Sequence, residues 1–483
     1  MTPDWVEPAA FVAFAPLIGA LLLAMISSPR TGSLVAIAAS GAGLGFALML
    51  PTQIGQGVFI LVDPLSAHVA ILTSFVGFTS AIYSRRYIAV ELEAGRLEAS
   101  RVRQYHALFM SFLGFMLLAL LSNNLGVTWV ALEAATISAV VVVGLPRTEN
   151  AVEASWKFFI LCGVGIALAL FGTIVLYLAA LPALGTGYAA MTWTELARAA
   201  PNCRGTLLNL AFVFLLVGYG TKAGLAPLHG WMPDAHAEGP TPVSAVLSGS
   251  VLNVALVVIL RLRGIMASNA QAIDPGPPIM ALGLLSVLFA AFSLWGRRDV
   301  KRFFAFSSIE QSGLAAFAIG LGGTGATFAA LLHITVHTLA KSAVFQCVGR
   351  VVQRKESQSF QSISGLIASD RALGLTLAAG IVAIAGLPPF GLFASEILIL
   401  SSTMALHPWL TLPLAIGLLV GGWKLIARLI DLCLGAPGIG HAPVITPLSL
   451  VPAWTHLAIV MLLGVAMPSA FAAWLAAAAR AVP

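Results

Sequence analysis

Long apolar runs alternate with short polar connectors along almost the whole chain, and each run is near the roughly 20 residues that an α-helix needs to cross a bilayer. Fourteen such runs can be marked, at 10–28, 34–50, 66–83, 107–123, 126–145, 156–181, 206–236, 241–262, 279–296, 304–321, 325–350, 373–400, 410–434 and 453–476. They are numbered here as spans one to fourteen. The pattern predicts an all-α integral membrane protein of about 14 transmembrane helices. Spans seven and twelve are interrupted by Gly and Pro, so each is expected to be a broken helix.

Composition narrows the reading. Of 483 residues, 59% are hydrophobic and 9% are charged, against roughly 25% charged in soluble domains, which excludes a soluble enzyme. The 25 Lys+Arg exceed the 19 Asp+Glu, but they sit in short connectors and form no nucleic-acid groove. With the N-terminus outside, inside connectors hold 17 of them, concentrated at 85–103, 297–302 and 350–371; Arg198, Arg204, Arg261, Arg263 and Arg480 fall outside, and Lys222, Lys341 and Lys424 fall within spans. The positive-inside rule then predicts a multi-pass protein of the cell (inner) membrane with both termini periplasmic. Cys162, Cys203, Cys347 and Cys433 are far apart and form no CxxC pair, so neither a zinc site nor an iron–sulfur cluster is expected, and redox chemistry belongs to another chain. The acid in Met1-Thr2-Pro3-Asp4-Trp5 argues against a cleavable signal peptide.

One internal repeat is visible. Ala223-Gly224-Leu225-Ala226-Pro227 in span seven reads almost as Ala385-Gly386-Leu387-Pro388-Pro389 in span twelve, 162 residues and five spans later. An odd number of spans per copy predicts two inverted five-helix repeats, 107–262 and 279–434, each containing one broken helix. Spans one to three (1–106) would be peripheral N-terminal helices, and 453–483 a C-terminal helix. A chance match of a short Gly/Pro string is the alternative.

An ionisable group at the bilayer centre costs about 2.5–3.5 kcal/mol, so each one inside a span needs a reason. Glu133 lies in the middle of span five, Lys222 just before the break of span seven, and Glu396 just after the break of span twelve. His333, His337 and Lys341 recur at i, i+4 and i+8 on one face of span eleven. Glu133 and Lys222 fit a structural salt bridge or a proton relay. The histidine pair lacks the acid of a zinc-peptidase motif, and buried titratable groups that exchange protons with neighbours account for more of the pattern. Lys424 and Asp431 fit a helix face near the interface, and Glu310 fits either role. Between spans seven and eight, His229, Asp234, His236 and Glu238 stand in a Pro-rich run and suit proton entry, although Asp234 and Thr241 suit helix capping equally.

The run from Lys222 to Gly249, KAGLAPLHGWMPDAHAEGPTPVSAVLSG, resembles the signature of the proton-conducting antiporter-like subunits of respiratory complex I, membrane-bound hydrogenases and multisubunit sodium/proton antiporters. The resemblance spans the chain from span three onward. YHALFMSFLGFMLLALLSNNLGVTWVALEAATISAV, EASWKFFILCGVGIALALFGTIVLYLA and GLPPFGLFASEILIL are most similar to hydrogenase-4 component F. The resemblance implies that Glu133, Lys222 and Glu396 are the family's fifth-, seventh- and twelfth-helix charges, that Lys157 is the lysine opening the sixth helix, and that His333, His337 and Lys341 form the polar face of the eleventh. Asn253 stands where several complex I subunits carry an eighth-helix lysine; an amide orients water but stores no proton. The chain also stops at Pro483, without the lateral helix of the largest complex I antiporter-like subunit.

The implied function is a membrane-arm subunit of a hydrogenase-4 or formate hydrogenlyase-like complex, with no cofactor of its own, translocating protons under the drive of other membrane-arm subunits and a peripheral hydrogenase/iron–sulfur module. The alternatives are a component of a multisubunit cation/proton antiporter or inorganic-carbon uptake system, moving Na+ or H+, and a passive scaffold with idle charges. Glu133, Lys157, Lys222, His229, His236, Asn253, His333, His337, Lys341 and Glu396 are the expected translocation residues.

Overall fold

A computed structural model describes residues 8–435 and 447–481; Met1–Trp5 and Pro483, on which two expectations rest, lie outside them. Among the described residues, twelve helices are long and apolar enough to cross a membrane alone: Pro8–Met25, Pro29–Thr52, Pro64–Glu93, Ala99–Leu121, Leu125–Val143, Glu149–Leu184, Gly205–Lys222, Thr241–Ala267, Gly276–Ser293, Val300–Leu321, Gly323–Lys355 and Pro408–Leu434. These carry spans one to eleven and span thirteen. Span twelve is split into Arg371–Ile384 and Gly391–Leu406, each too short to cross by itself. Span fourteen is not the single straight helix that its apolar run suggests. Val451–Val465 and Ser469–Arg480 are bent by 87°, because Pro468 at the junction has no N–H to continue the ladder. The second segment packs against spans three and eleven.

Polar residues punctuate the helices. Asp63 opens span three with a reciprocal capping box to Ser66, while Asn124, Thr148, Asp299 and Asp370 each accept a backbone N–H of the first turn of spans five, six, ten and twelve. Outside the helices, a two-stranded antiparallel ribbon pairs Gly55 with Val62, and the short helix Trp193–Ala199 covers the same end of the molecule by its bridge to Asn124.

Burial separates a core from a rim. Spans eight and ten are 100% buried and span eleven 94%, whereas spans two and thirteen are 33% and 28% buried. Span three does not share the peripheral position of spans one and two: it is 78% buried and packs against span eleven. Its inward face is built from small and polar residues, Ser66, Ala67, Ala70, Ser74, Gly77 and Ser80, which permit close helix approach in a membrane but leave no mark in an apolar run.

Candidate functional site: a row of buried charges across the core

The helix of span seven ends at Lys222 because Gly224 takes a left-handed φ of 69°, open to glycine at no steric cost, and the backbone then runs in turns to the seven-residue helix Met232–Glu238. Span twelve breaks the same way at Gly386, φ 67°. Each break exposes unpaired backbone groups within the protein, and side chains meet some of them. Ser286 accepts from the Ala226 N–H at 2.8 Å, Ser312 donates to the Ala223 carbonyl at 2.7 Å, and the Trp231 indole donates to the Thr221 carbonyl at 2.9 Å. Irregular backbone at membrane depth requires such protein partners.

A charge stands beside each break. Lys222, 1% exposed, donates to Glu133 at 3.0 Å and to Thr136 at 2.6 Å. The Glu396 carboxylate packs against Gly386, leaving no room for a Cβ there, and Gln311 of span ten reaches it. The expected partners Glu133 and Lys222 are therefore joined directly.

Between these ends lie spans eight, ten and eleven. Lys341 is fully buried, its ammonium donating to the Phe304 carbonyl at 2.8 Å with the Phe304 ring at 5.8 Å. Glu310, 1% exposed, feels the charges of both Lys341 and Glu396, and its Oε2 has no hydrogen-bond partner among the described residues. His333 and His337 stack in parallel with centroids 6.0 Å apart. Nδ1 of His333 meets Ser395 beside Glu396 at 3.0 Å, and Nε2 of both rings is unpartnered. Asn253 donates to Thr338 of span eleven at 2.8 Å, just beyond a π-helical turn at Leu247–Val251, a feature common at functional sites. His236 is fully buried against Phe345, with neither ring nitrogen paired. His229 lies against Phe289 at 4.6 Å, with Nδ1 unpaired.

Lys157 does not join this row. It is 46% exposed and pairs with Glu153 at 2.6 Å and Asp234 at 3.1 Å. Asp234 also pairs with Arg302 at 2.5 Å and caps nothing, since the helix Met232–Glu238 has no side-chain cap. The Thr241 hydroxyl turns to Tyr87 at 3.4 Å instead of capping. Burial pushes the neighbouring Glu238 carboxyl above its ordinary range, against the opposing pull of Lys301 and Arg302.

Four contributors were not among the expected translocation residues. Glu310 fits either of two roles in the sequence and lies fully buried in the row. Lys301, counted with the basic connector 297–302, is 3% exposed and donates to the Ala237 and Gly239 carbonyls at 2.9 Å. Ser248 and Ser308 bond each other at 2.8 Å between spans eight and ten. The signal for span ten is in the run Ser307-Ser308-Ile309-Glu310-Gln311-Ser312, where polar residues crowd an otherwise apolar helix. Lys424 stacks over Trp295 at 3.3 Å and Asp431 pairs with Arg428 at 3.0 Å, both on the rim.

A multi-span membrane protein with two broken helices flanking a buried row of acids, lysines and histidines has the architecture of an ion-conducting membrane subunit. The chain belongs to the family described as NADH:quinone oxidoreductase/Mrp antiporter, TM, whose model matches residues 122–420. It is 48% identical to the hydrogenase-4 component F homolog of Methylacidiphilum infernorum (isolate V4) over 467 residues, which is 96% of this chain and 98% of that one. Its fold is that of a chain in the membrane-bound sulfane sulfur reductase, an archaeal respiratory membrane complex, with TM-score 0.86 at 22% identity over 98% and 97% of the two chains. A chain of the Mrp complex from Dietzia sp. DQ12-45-1b gives TM-score 0.83 at 17% identity over 98% and 97%. The fold neighbours are parts of multi-subunit membrane complexes. The matched region holds Glu133, Lys222, Asn253, Glu310, Lys341 and Glu396, and leaves the helices of the first four spans and the last outside.

Proposed function

We propose that the chain is a proton-translocating membrane-arm subunit of a hydrogenase-4 or formate hydrogenlyase-like complex, with both termini on the periplasmic face of the inner membrane. The observation that carries this reading is the Lys222–Glu133 pair at 3.0 Å beside a helix break, continued through the core by Lys341, Glu310 and Glu396. A buried lysine held by one carboxylate and one hydroxyl has a proton acceptor within contact distance. The unpartnered Nε2 atoms of His333 and His337 and the free Oε2 of Glu310 supply sites where protons or ordered water bridge the row. Protons enter past Glu238 and His236. Asn253 and Thr338 connect span eight to the face of span eleven through hydrogen bonds alone.

In this reading the chain carries no cofactor. Its driving force comes from a peripheral hydrogenase/iron–sulfur module relayed by other membrane subunits. The test is donor-driven acidification of proteoliposomes containing the purified complex, with the partner chains identified in the same preparation. Acid uptake that is independent of sodium and lost in Glu133→Gln supports the proposal. Sodium-dependent exchange without any hydrogenase chain in the complex would assign the subunit to an antiporter instead.

A further inference from the structure

At the arginine-rich end of the helices, a cavity of about 610 Å³ opens between spans two, three, four and eleven. Arg30, Arg85, Arg86 and Arg350 line it, with Glu93 as the one carboxylate among its lining residues. Arg30, Arg85 and Arg86 are exposed, and none has a carboxylate partner among the described residues.

Three residues of the cavity wall carry unmet hydrogen bonds. Arg350 is 4% exposed; its guanidinium lies 4.8 Å from the Tyr83 ring, and Nη1 donates to Gln353 at 3.2 Å. Its Nε and Nη2, the Tyr83 hydroxyl and the His106 Nδ1 have no partner among the described residues. All three side chains line the cavity, are more than nine-tenths buried, and come from spans eleven, three and four. A buried polar atom left without a partner costs about 1–3 kcal/mol, more when charged. Three on different helices around one arginine-rich cavity are met together by a group that carries negative charge and several acceptor oxygens. Phosphate has that chemistry, and guanidinium binds it through paired N–H donors.

We infer that this cavity holds the phosphate of an anionic membrane lipid. The walls are transmembrane helices, and apolar surface continues from the arginines toward the bilayer: Ile82, beside the cavity, is 39% exposed, and Leu34, next to Ser33 of its wall, is 51% exposed. These give an acyl chain a path that a free anion does not need. Basic pockets between spans at the positively charged membrane face hold lipid headgroups by the same physics. The inference does not depend on the proton row.

The experiment uses the intact purified complex, delipidated and then equilibrated with phosphatidylcholine nanodiscs, with the same discs containing phosphatidylglycerol, or with inorganic phosphate. Retained lipid is counted by native mass spectrometry. The wild type is expected to retain phosphatidylglycerol in preference to phosphatidylcholine. The Arg85→Ser/Arg86→Ser double variant, altered only at exposed positions, is expected to lose about thirtyfold in that affinity, and Arg350→Gln at least tenfold if it assembles. Equal retention of both lipids, or undiminished retention in the double variant, overturns the inference. So does binding of inorganic phosphate without phosphatidylglycerol, or a cavity in the complex filled by an acidic segment of a partner chain.

Discussion

The ammonium of Lys222 is 1% exposed, whereas the Glu133 carboxylate that it contacts at 3.0 Å is 18% exposed. The pair is thus unequally covered, and its two members should fail differently. Removing one partner of a buried ion pair strands the other, at a cost of about 3–5 kcal/mol when burial is complete. Glu133→Gln strands the fully buried lysine with Thr136, while Lys222→Met strands a carboxylate that is partly uncovered. Both are expected to abolish donor-driven proton uptake while the complex still assembles, and Glu133→Gln should show the larger fall in Tm. Normal uptake in either variant would remove the pair from the path.

Asn253 tests whether the row crosses the centre of the chain. Its amide donates to Thr338, whose own hydroxyl donates to the Ile334 carbonyl, so a hydrogen-bonded link already joins spans eight and eleven. Asn253→Leu removes both ends of the amide and is expected to reduce uptake strongly. Asn253→Lys should retain part of it, and Thr338→Val should resemble the Leu variant in milder form. Full uptake in Asn253→Leu would confine conduction to one half of the chain.

Glu310 packs its carboxylate directly against Gly421 of span thirteen, so closely that a Cβ at 421 has no space. Glu310→Gln keeps the shape and removes the charge; uptake should fall to background with Tm little changed or raised, since a buried unpaired carboxylate is costly. Gly421→Ala displaces the same carboxylate from outside and should reduce both uptake and Tm. Unchanged uptake in Glu310→Gln would leave this acid a structural role alone.

The breaks make a separate prediction about folding. A side chain at Gly224 or Gly386 must adopt a left-handed backbone, at a cost of about 1–2 kcal/mol, and also meets Met232 in the first case and Glu396 in the second. Gly224→Ala and Gly386→Ala should therefore lower Tm by several degrees. Gly325→Ala, where a Cβ meets nothing within 4 Å, should leave it unchanged, and an equal loss at all three positions would refute the argument.

Each apolar run is helical, with spans seven, twelve and fourteen in two segments, because twenty apolar residues in a bilayer have few other ways to satisfy their backbone. The Glu133–Lys222 contact was legible for a similar reason: two isolated charges inside the apolar runs of spans five and seven each need a partner. Neighbourhood across the bundle was less legible. Lys157 and Lys301 both flank spans, yet the first turns outward to Glu153 and Asp234 while the second turns inward to two carbonyls, a choice made by packing around Gly239 and invisible in the local run. The bend after Val465 was missed because the apolar character continues through Pro468 and conceals the change of direction.

The row of charges is sealed along its middle, where Lys341 and Glu310 are fully covered, but Glu133 and Glu396 at its extremities are each partly uncovered on the flanks of the chain. A solitary copy therefore leaves part of each carboxylate uncovered by protein, a cost that rises where the surrounding medium is hydrocarbon. Neighbouring chains that cover these flanks remove that burden. A copy without such neighbours is therefore expected to be less stable than one within the complex, which the Tm of the isolated chain against that of the complex checks.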